Sequence, residues 1–279
     1  MEVSPDAVLI RKADGENVPF DESKLRASLE RSDATPQVVD GIVREVRQLL
    51  VDGMSTRTIY REAFKRLRSH SRHSAGRYRL KRALFELGPS GYPFEHFVGK
   101  LMEHQGFRAE VGVVKPGRCV SHEMDVWASD GQTLRIVECK FHSDAKRKSS
   151  IQTALYVQAR FQDLMSNLSG PEAELNAVSY VVTNTRFTSE AAAYGRCVGM
   201  QLVGWDAPRT GCLKQWIDES GFHPLTCLSG LNRAEKHSLL DRGIVLCSEL
   251  DVAQLKEAGV PEKKHQKVLS ECASIVESR

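Results

Sequence analysis

The sequence predicts a multidomain chain of mixed α+β and α/β class. It reads as a small, mostly helical N-terminal unit, a mixed sheet flanked by helices, and a C-terminal helical segment. Three observations carry this. Residues 21–87 show apolar stripes at helical spacing and end at Gly88-Pro89. Two β-rich runs, 122–127 and 136–140, flank Asp130-Gly131, the strongest short-range hairpin signal a sequence offers. Further runs at 180–183 and 201–204 bracket a helical stretch, which implies a parallel crossover and so a mixed sheet. The expected boundaries are 1–88, 91–210 and 211–279.

The first unit opens with a strand at 8–12 and a turn at Asp14-Gly15. Asp21 starts an amphipathic helix carrying Leu25 and Leu29. Thr35-Pro36 starts a second, with proline at its first position and Ile42, Val43, Val46 and Leu49-Leu50 as its stripe. Asp52-Gly53 ends it, Ser55 or Thr56 caps a third helix, and a fourth runs to Leu87. Ile10-Arg11-Lys12-Ala13-Asp14-Gly15, Pro19-Phe20-Asp21-Glu22-Ser23-Lys24-Leu25, Asp52-Gly53-Met54-Ser55-Thr56-Arg57-Thr58-Ile59-Tyr60 and Ala75-Gly76-Arg77-Tyr78 resemble the ATP-cone, the nucleotide-sensing module of ribonucleotide reductases. The resemblance implies ATP or dATP as an allosteric ligand, held by Arg11, Lys12, Lys24, Thr56 and Tyr60. Lys12 and Lys24 would meet phosphates, and Thr56 and Tyr60 would lie near the base. The family's Lys-Arg-Asp-Gly reads Arg-Lys-Ala-Asp-Gly here.

The hairpin concentrates the chemistry. With Asp130-Gly131 as a two-residue turn, Glu123 faces Glu138 and Asp125 faces Ile136. Alternation then puts Glu123, Asp125, Ile136, Glu138 and Lys140 on one face, and turns Val137, Cys139 and Phe141 into apolar packing. Three carboxylates on one face of a mostly apolar ribbon are costly unless something pairs with them. A hard cation such as Mg²⁺ or Mn²⁺ does so, held by Asp125 and Glu138. Lys140 can then orient a water or offset charge in the transition state. A solvated edge hairpin with a Glu–Lys pair is the plainer reading, but Leu-Arg-Ile-Val-Glu-Cys-Lys-Phe is too apolar for an exposed edge.

Asp125, Glu138-Cys139-Lys140 and the later Thr183-Asn184-Thr185-Arg186-Phe187-Thr188-Ser189-Glu190-Ala191 resemble the PD-(D/E)xK nuclease core, and most closely the Mrr-type restriction endonucleases. The resemblance implies that Asp125 and Glu138 carry Mg²⁺, that Lys140 assists the attacking water, and that Glu95, on the first core helix, can join them. Met124 stands where that family has a proline before the aspartate. In the family, a glutamine from the helix after the lysine often supports catalysis. Gln152 and Tyr156 lie four apart there and can share a face toward the site, while Gln158 lies on another side; the register stays open.

Elsewhere the signals are weaker. The helix after the hinge-like Gly88-Pro89-Ser90-Gly91-Tyr92-Pro93 puts Phe94, Phe97, Val98, Leu101 and Met102 on one face. Lys115-Pro116-Gly117-Arg118 reads as a loop, and Lys146-Arg147-Lys148 suits phosphate contact. Between Arg57 and Arg82 ten lysines or arginines meet one acid, Glu62; Arg68, Arg72 and Arg77 are the residues to test for DNA contact. His70 and His73 lack further ligands nearby, so a metal half-site is disfavoured. The turn at Ala258-Gly259-Val260-Pro261-Glu262-Lys263-Lys264 weakly resembles a helix-hairpin-helix. Seven scattered cysteines without a C-x-x-C pair suggest buried thiols in a reducing cytosol. No apolar run approaches a membrane span, and no G-x-x-x-x-G-K-[ST] run supports ATP hydrolysis. The expectation is a nucleotide-regulated, metal-dependent DNA endonuclease, cytoplasmic and homo-oligomeric. The alternative is a non-catalytic ATP- or dATP-responsive DNA-binding regulator.

Overall fold

The structure, a computed structural model, describes residues 8–12, 15–30, 32, 34–71, 74–75 and 78–276. The Asp14 half of the first turn, Arg72, His73, Gly76 and Arg77 lie outside the described residues.

The N-terminal unit is a three-stranded sheet under helices. Strand β1 (Leu9–Arg11) pairs antiparallel with β2 (Asn17–Pro19) and parallel with β3 (Met54–Ser55). Helix α1 (Glu22–Glu30) buries Leu25 and Leu29. Helix α2 (Pro36–Leu49) starts after Thr35 with proline in its first turn and buries Val39, Ile42, Val43 and Val46, as the apolar stripe requires. Helix α3 (Thr56–His70) is capped by Ser55, whose hydroxyl accepts from the Thr58 amide at 3.1 Å. These elements close one apolar cluster from Ile10 to Tyr78.

Helix α4 (Leu80–Phe85) belongs elsewhere. Leu80, Ala83, Leu84 and Leu87 pack into the large core of the rest of the molecule, and the Ala83 carbonyl accepts from Thr226 Oγ1 at 2.7 Å. The Lys81 ammonium sits over the Trp205 ring, 5.6 Å from its centre. The following segment is no loose hinge. A side chain at Gly88 would stand 2.5 Å from Phe141 Cε1, so the backbone there lies directly on that ring.

The central domain is built on a five-stranded mixed sheet. Helix α5 (Tyr92–His104) presents the expected Phe94, Phe97, Val98, Leu101 and Met102 to it. Strands β4 (Arg108–Pro116), β5 (Ser121–Ser129) and β6 (Thr133–Lys140) form an antiparallel meander, so Lys115-Pro116 ends a strand rather than lying in a loop. A short β7 (Lys148–Ser149) precedes helix α6 (Ile151–Met165). Strand β8 (Asn176–Thr183) then runs parallel to β6. Next come β9 (Arg186–Phe187), paired with β7, helix α7 (Ser189–Val198), and β10 (Gln201–Val203), parallel to β8. The sheet is therefore mixed, as expected, with α5 packed on one face and α6 on the other.

The hairpin register differs from the two-residue-turn reading. Val126 pairs with Val137 and Ser129 with Leu134, two positions from that expectation. The Asp130 side chain is the cause. Its Oδ1 accepts from the amides of Gln132 and Thr133 at 2.9 and 2.7 Å, and with Gly131 at φ +86° this draws both residues into the turn, leaving residues 130–133 between the last pair. Continued along the ladder, the register puts Asp125 rather than Glu123 across from Glu138. Simple alternation also fails here. Ala109 and Val111 pack on the α5 side but Val113 on the α6 side; Val126 and Ala128 pack on the α5 side but Met124 on the α6 side. Gly112, at φ +66°, sits at that crossover level with Asp125. Glu123 is thereby turned off the face that carries Glu138.

The C-terminal part contains α8 (Leu213–Ser220), α9 (Arg233–Leu240), α10 (Val252–Glu257) and α11 (Glu262–Val276). Its apolar residues merge with the α5 side of the central core. Gly259 adopts φ +75° between α10 and α11, the left-handed turn that a helix-hairpin-helix reading requires.

Candidate active site and nucleotide pocket

Asp125 and Glu138 meet where β5 and β6 diverge. Asp125 Oδ2 accepts from the Cys139 amide at 2.6 Å, which fixes its carboxylate against the strand that carries Glu138. Burial, then repulsion from Glu138, pushes the Asp125 carboxyl up to about 7, although the Cys139 amide pulls the other way. Glu95, in the first turn of α5, is raised by burial, then by Glu123 and Glu138. Glu123 is exposed; it acts on Glu95 but is not among the groups that perturb Asp125. Lys140 Nζ stands 3.9 Å from Glu138 Oε1 with its side chain nearly half exposed, so it can reach a ligand.

Arg160 is the residue that sequence reasoning missed. From α6 its Nη1 donates to Glu138 Oε2 at 2.6 Å, and its Nη2 to the Glu123 carbonyl. The signal was present: Ala154, Val157 and Leu164 mark the buried stripe of α6, and an arginine at position 160 interrupts it. Gln152 and Tyr156 are exposed, and Gln152 Oε1 accepts from the Ser150 hydroxyl. Gln158 buries an Oε1 that has no hydrogen-bond partner.

Among the described residues, no three His, Cys, Asp or Glu side chains form a ready-made metal cage. The donor set nevertheless suits Mg²⁺ or Mn²⁺, which takes one or two carboxylates and fills the remaining positions with water and substrate oxygens. Asp125 Oδ1 and Glu138 Oε1 are the oxygens left to it by the Cys139 amide and Arg160. The mutual repulsion that raises Asp125 is relieved by a divalent cation.

The N-terminal unit holds a second site. Lys12, Lys24, Thr56 and Tyr60 line one cavity of about 300 Å³, together with Ile10, Phe20 and Tyr78. Lys12 pairs with Glu16 at 2.6 Å, and the well-exposed Lys24 lies 3.3 Å from Asp21. The Tyr60 ring stacks on Tyr78 at 4.8 Å and 10°, and burial raises its hydroxyl pKa. Tyr78 thus joins the expected set, while Arg11, exposed on β1, is not part of the lining. Thr56 opens the long helix α3, whose N-terminal amides favour an anion.

Of the basic residues, Lys146, Arg147 and Lys148 line a cavity of about 240 Å³ with Lys81 and Arg186. Arg68 is exposed on α3. Among the described residues, no helix is long and apolar enough to cross a membrane.

Comparison with known proteins finds three matched regions. Residues 8–83 match the ATP cone domain, 88–207 a restriction endonuclease domain, and 223–276 the domain described as AF1548-like, C-terminal. An uncharacterized protein of Archaeoglobus fulgidus is 30% identical over 182 residues, covering 64% of this chain and 99% of the relative. A crystal structure of a protein of unknown function, AF1548, superposes with a TM-score of 0.56 at 30% identity, over 68% of this chain and all of that one.

Proposed function

From a chain that belongs to the AF1548-like family and carries a restriction-endonuclease domain behind an ATP-cone domain, we propose a divalent-metal-dependent endonuclease acting on DNA, regulated by ATP or dATP. The observation that carries the reading is the convergence of Asp125, Glu138 and Lys140 at one end of the β5–β6 ladder, with Asp125 pushed to about 7.

Asp125 and Glu138 would hold Mg²⁺ or Mn²⁺, with Glu95 close enough to share the charge. The metal, when bound, supplies Lewis-acid polarisation of a phosphoryl oxygen and acidifies water. The Cys139 amide keeps Asp125 aimed, and Arg160 holds Glu138 in one orientation. Lys140 orients the attacking water and offsets negative charge as the phosphodiester opens. Glu95, with its raised pKa, is placed to accept a proton. Plasmid cleavage with Mg²⁺ or EDTA tests this. Asp125→Ala and Lys140→Ala should each lower cleavage at least about 100-fold while DNA affinity stays largely intact. Undiminished activity in either variant, or full activity in EDTA, would sink the assignment.

One observation favours the second reading, a non-catalytic nucleotide-responsive DNA binder. Arg160 already neutralises Glu138, the role a metal would otherwise fill. Nucleotide-dependent DNA binding without cleavage under any metal would decide for it. Cutting both strands needs two active sites, so the endonuclease reading includes a homodimer or larger assembly; sedimentation as a strict monomer on and off DNA would count against it.

Nucleotide in the cone should change cleavage rate or assembly roughly 5- to 150-fold, through its different affinities for two states. Lys24→Ala should remove that response and leave basal cleavage alone. Calorimetry showing no binding at millimolar ATP would exclude it.

A further inference from the structure

A cavity of about 520 Å³ lies away from both sites, where the N-terminal unit, the central domain and the C-terminal part meet. Arg79, Arg82, Phe85 and Glu86 come from α4 and the residues on either side of it. Gly88 and Pro89 come from the segment leading into the central domain, Ser143 from the loop between β6 and β7, and Leu231, Arg233, Lys236 and His237 from α9 and its approach. Its charges do not balance. Among the described residues, Glu86 is the only acid in the lining, and it serves three cations: Arg79 at 3.0 Å, Arg82 at 3.1 Å and Lys236 at 3.3 Å. Arg233 adds a fourth positive charge.

Two of these cations are substantially withdrawn from water. Lys236 is 7% exposed, and its ammonium has one further partner, the Thr226 carbonyl at 2.7 Å. The Arg79 side chain is 14% exposed and packs over the Phe64 ring. Excess positive charge held at low exposure is unfavourable unless an anion accompanies it. Arginines in a fork geometry bind phosphate oxygens through paired N–H groups, which point charges do not. Phe85, Pro89 and Leu231 give the wall an apolar side, beside the polar Ser143 and His237. A volume of this size with a cationic floor and an apolar side suits a ligand that has both phosphates and a flat organic part.

We infer that this junction cavity is a second anion site, which takes a phosphate-bearing small molecule of nucleotide size. It is separate from the cone pocket, whose lining shares no residue with it. It depends on neither the cleavage reaction nor the metal.

The test uses the full chain and two probes, tripolyphosphate and ATP, followed by calorimetry and thermal shift. Tripolyphosphate should bind and raise the unfolding temperature. Arg82→Glu with Arg233→Glu, both at exposed side chains, should weaken it about tenfold or more, and the single Arg233→Gln less. Lys12→Ala with Lys24→Ala, which disables the cone pocket, should leave it unchanged, and ATP should retain one binding event in that background. Equal affinity of wild type and the charge-reversed variant would overturn the site. Loss of tripolyphosphate binding in the cone variant would overturn it too, by locating the anion in the cone. If tripolyphosphate does not bind but the charge-reversed variant loses DNA affinity with a flattened salt dependence, the cavity serves DNA backbone phosphate and the small-molecule site is refuted.

Discussion

Asp125 decides how the site behaves without metal. Its pKa of about 7 stands above the ordinary value of 3.8, because burial and Glu138 disfavour the charge. The metal-free fold therefore holds a proton there that the unfolded chain has released. That contribution to stability is complete below 3.8 and is lost as pH rises through about 7. Unfolding temperatures of the metal-free protein should fall between about pH 4 and about pH 7 and level off above that, and Asp125→Asn should flatten the fall. An identical slope in that variant would remove Asp125 as the cause. Adding Mg²⁺ near neutral pH should release about half a proton per site, read as a buffer-dependent heat. At this scale the sequence was informative: Asp125, Glu138 and Lys140 lie within one hairpin, so local pattern brought them together. Arg160 reaches Glu138 from a helix, and only its interruption of an apolar stripe marked it.

Elements were easier to find than their registers. Strands, helices and the mixed sheet followed from periodicity, but the ladder between β5 and β6 is set by Asp130 capping two amides and by the crossover at Gly112. Neither is an apolar pattern, so neither could be read from one. The segment before α5 is a second such case. Its glycines and prolines suggest freedom, yet Gly88 lies on Phe141, the neighbour of Lys140 in sequence. Gly88→Ala forces that ring to shift. Single-turnover cleavage should then slow by about 10- to 100-fold, since small misplacements of a reacting group carry penalties of that order. Metal affinity should persist, because Asp125 and Glu138 keep their contacts. Unchanged cleavage would show that Phe141 yields without moving Lys140.

At the scale of the whole molecule, one core runs through regions that match three different families. Leu84 is fully buried in a cluster that also contains Phe94, Val137 and Leu225. Leu84→Ala should cost about 2–5 kcal/mol. The central and C-terminal parts should lose that stability together, in one calorimetric transition. A split into separate transitions, with only one displaced, would argue that they fold independently. The shared core was not legible in advance, because helical spacing shows which face of α4 is apolar but not which partner receives it. The pairing of Lys81 with Trp205 gives this junction an optical handle. All three tryptophans, Trp127, Trp205 and Trp216, come after the cone, so indole emission originates outside its nucleotide pocket. Trp205 alone has a charge from α4 against its ring. A shift in tryptophan emission when nucleotide fills the cone would then register displacement of that helix, while silence would mean that the cone fills without α4 moving.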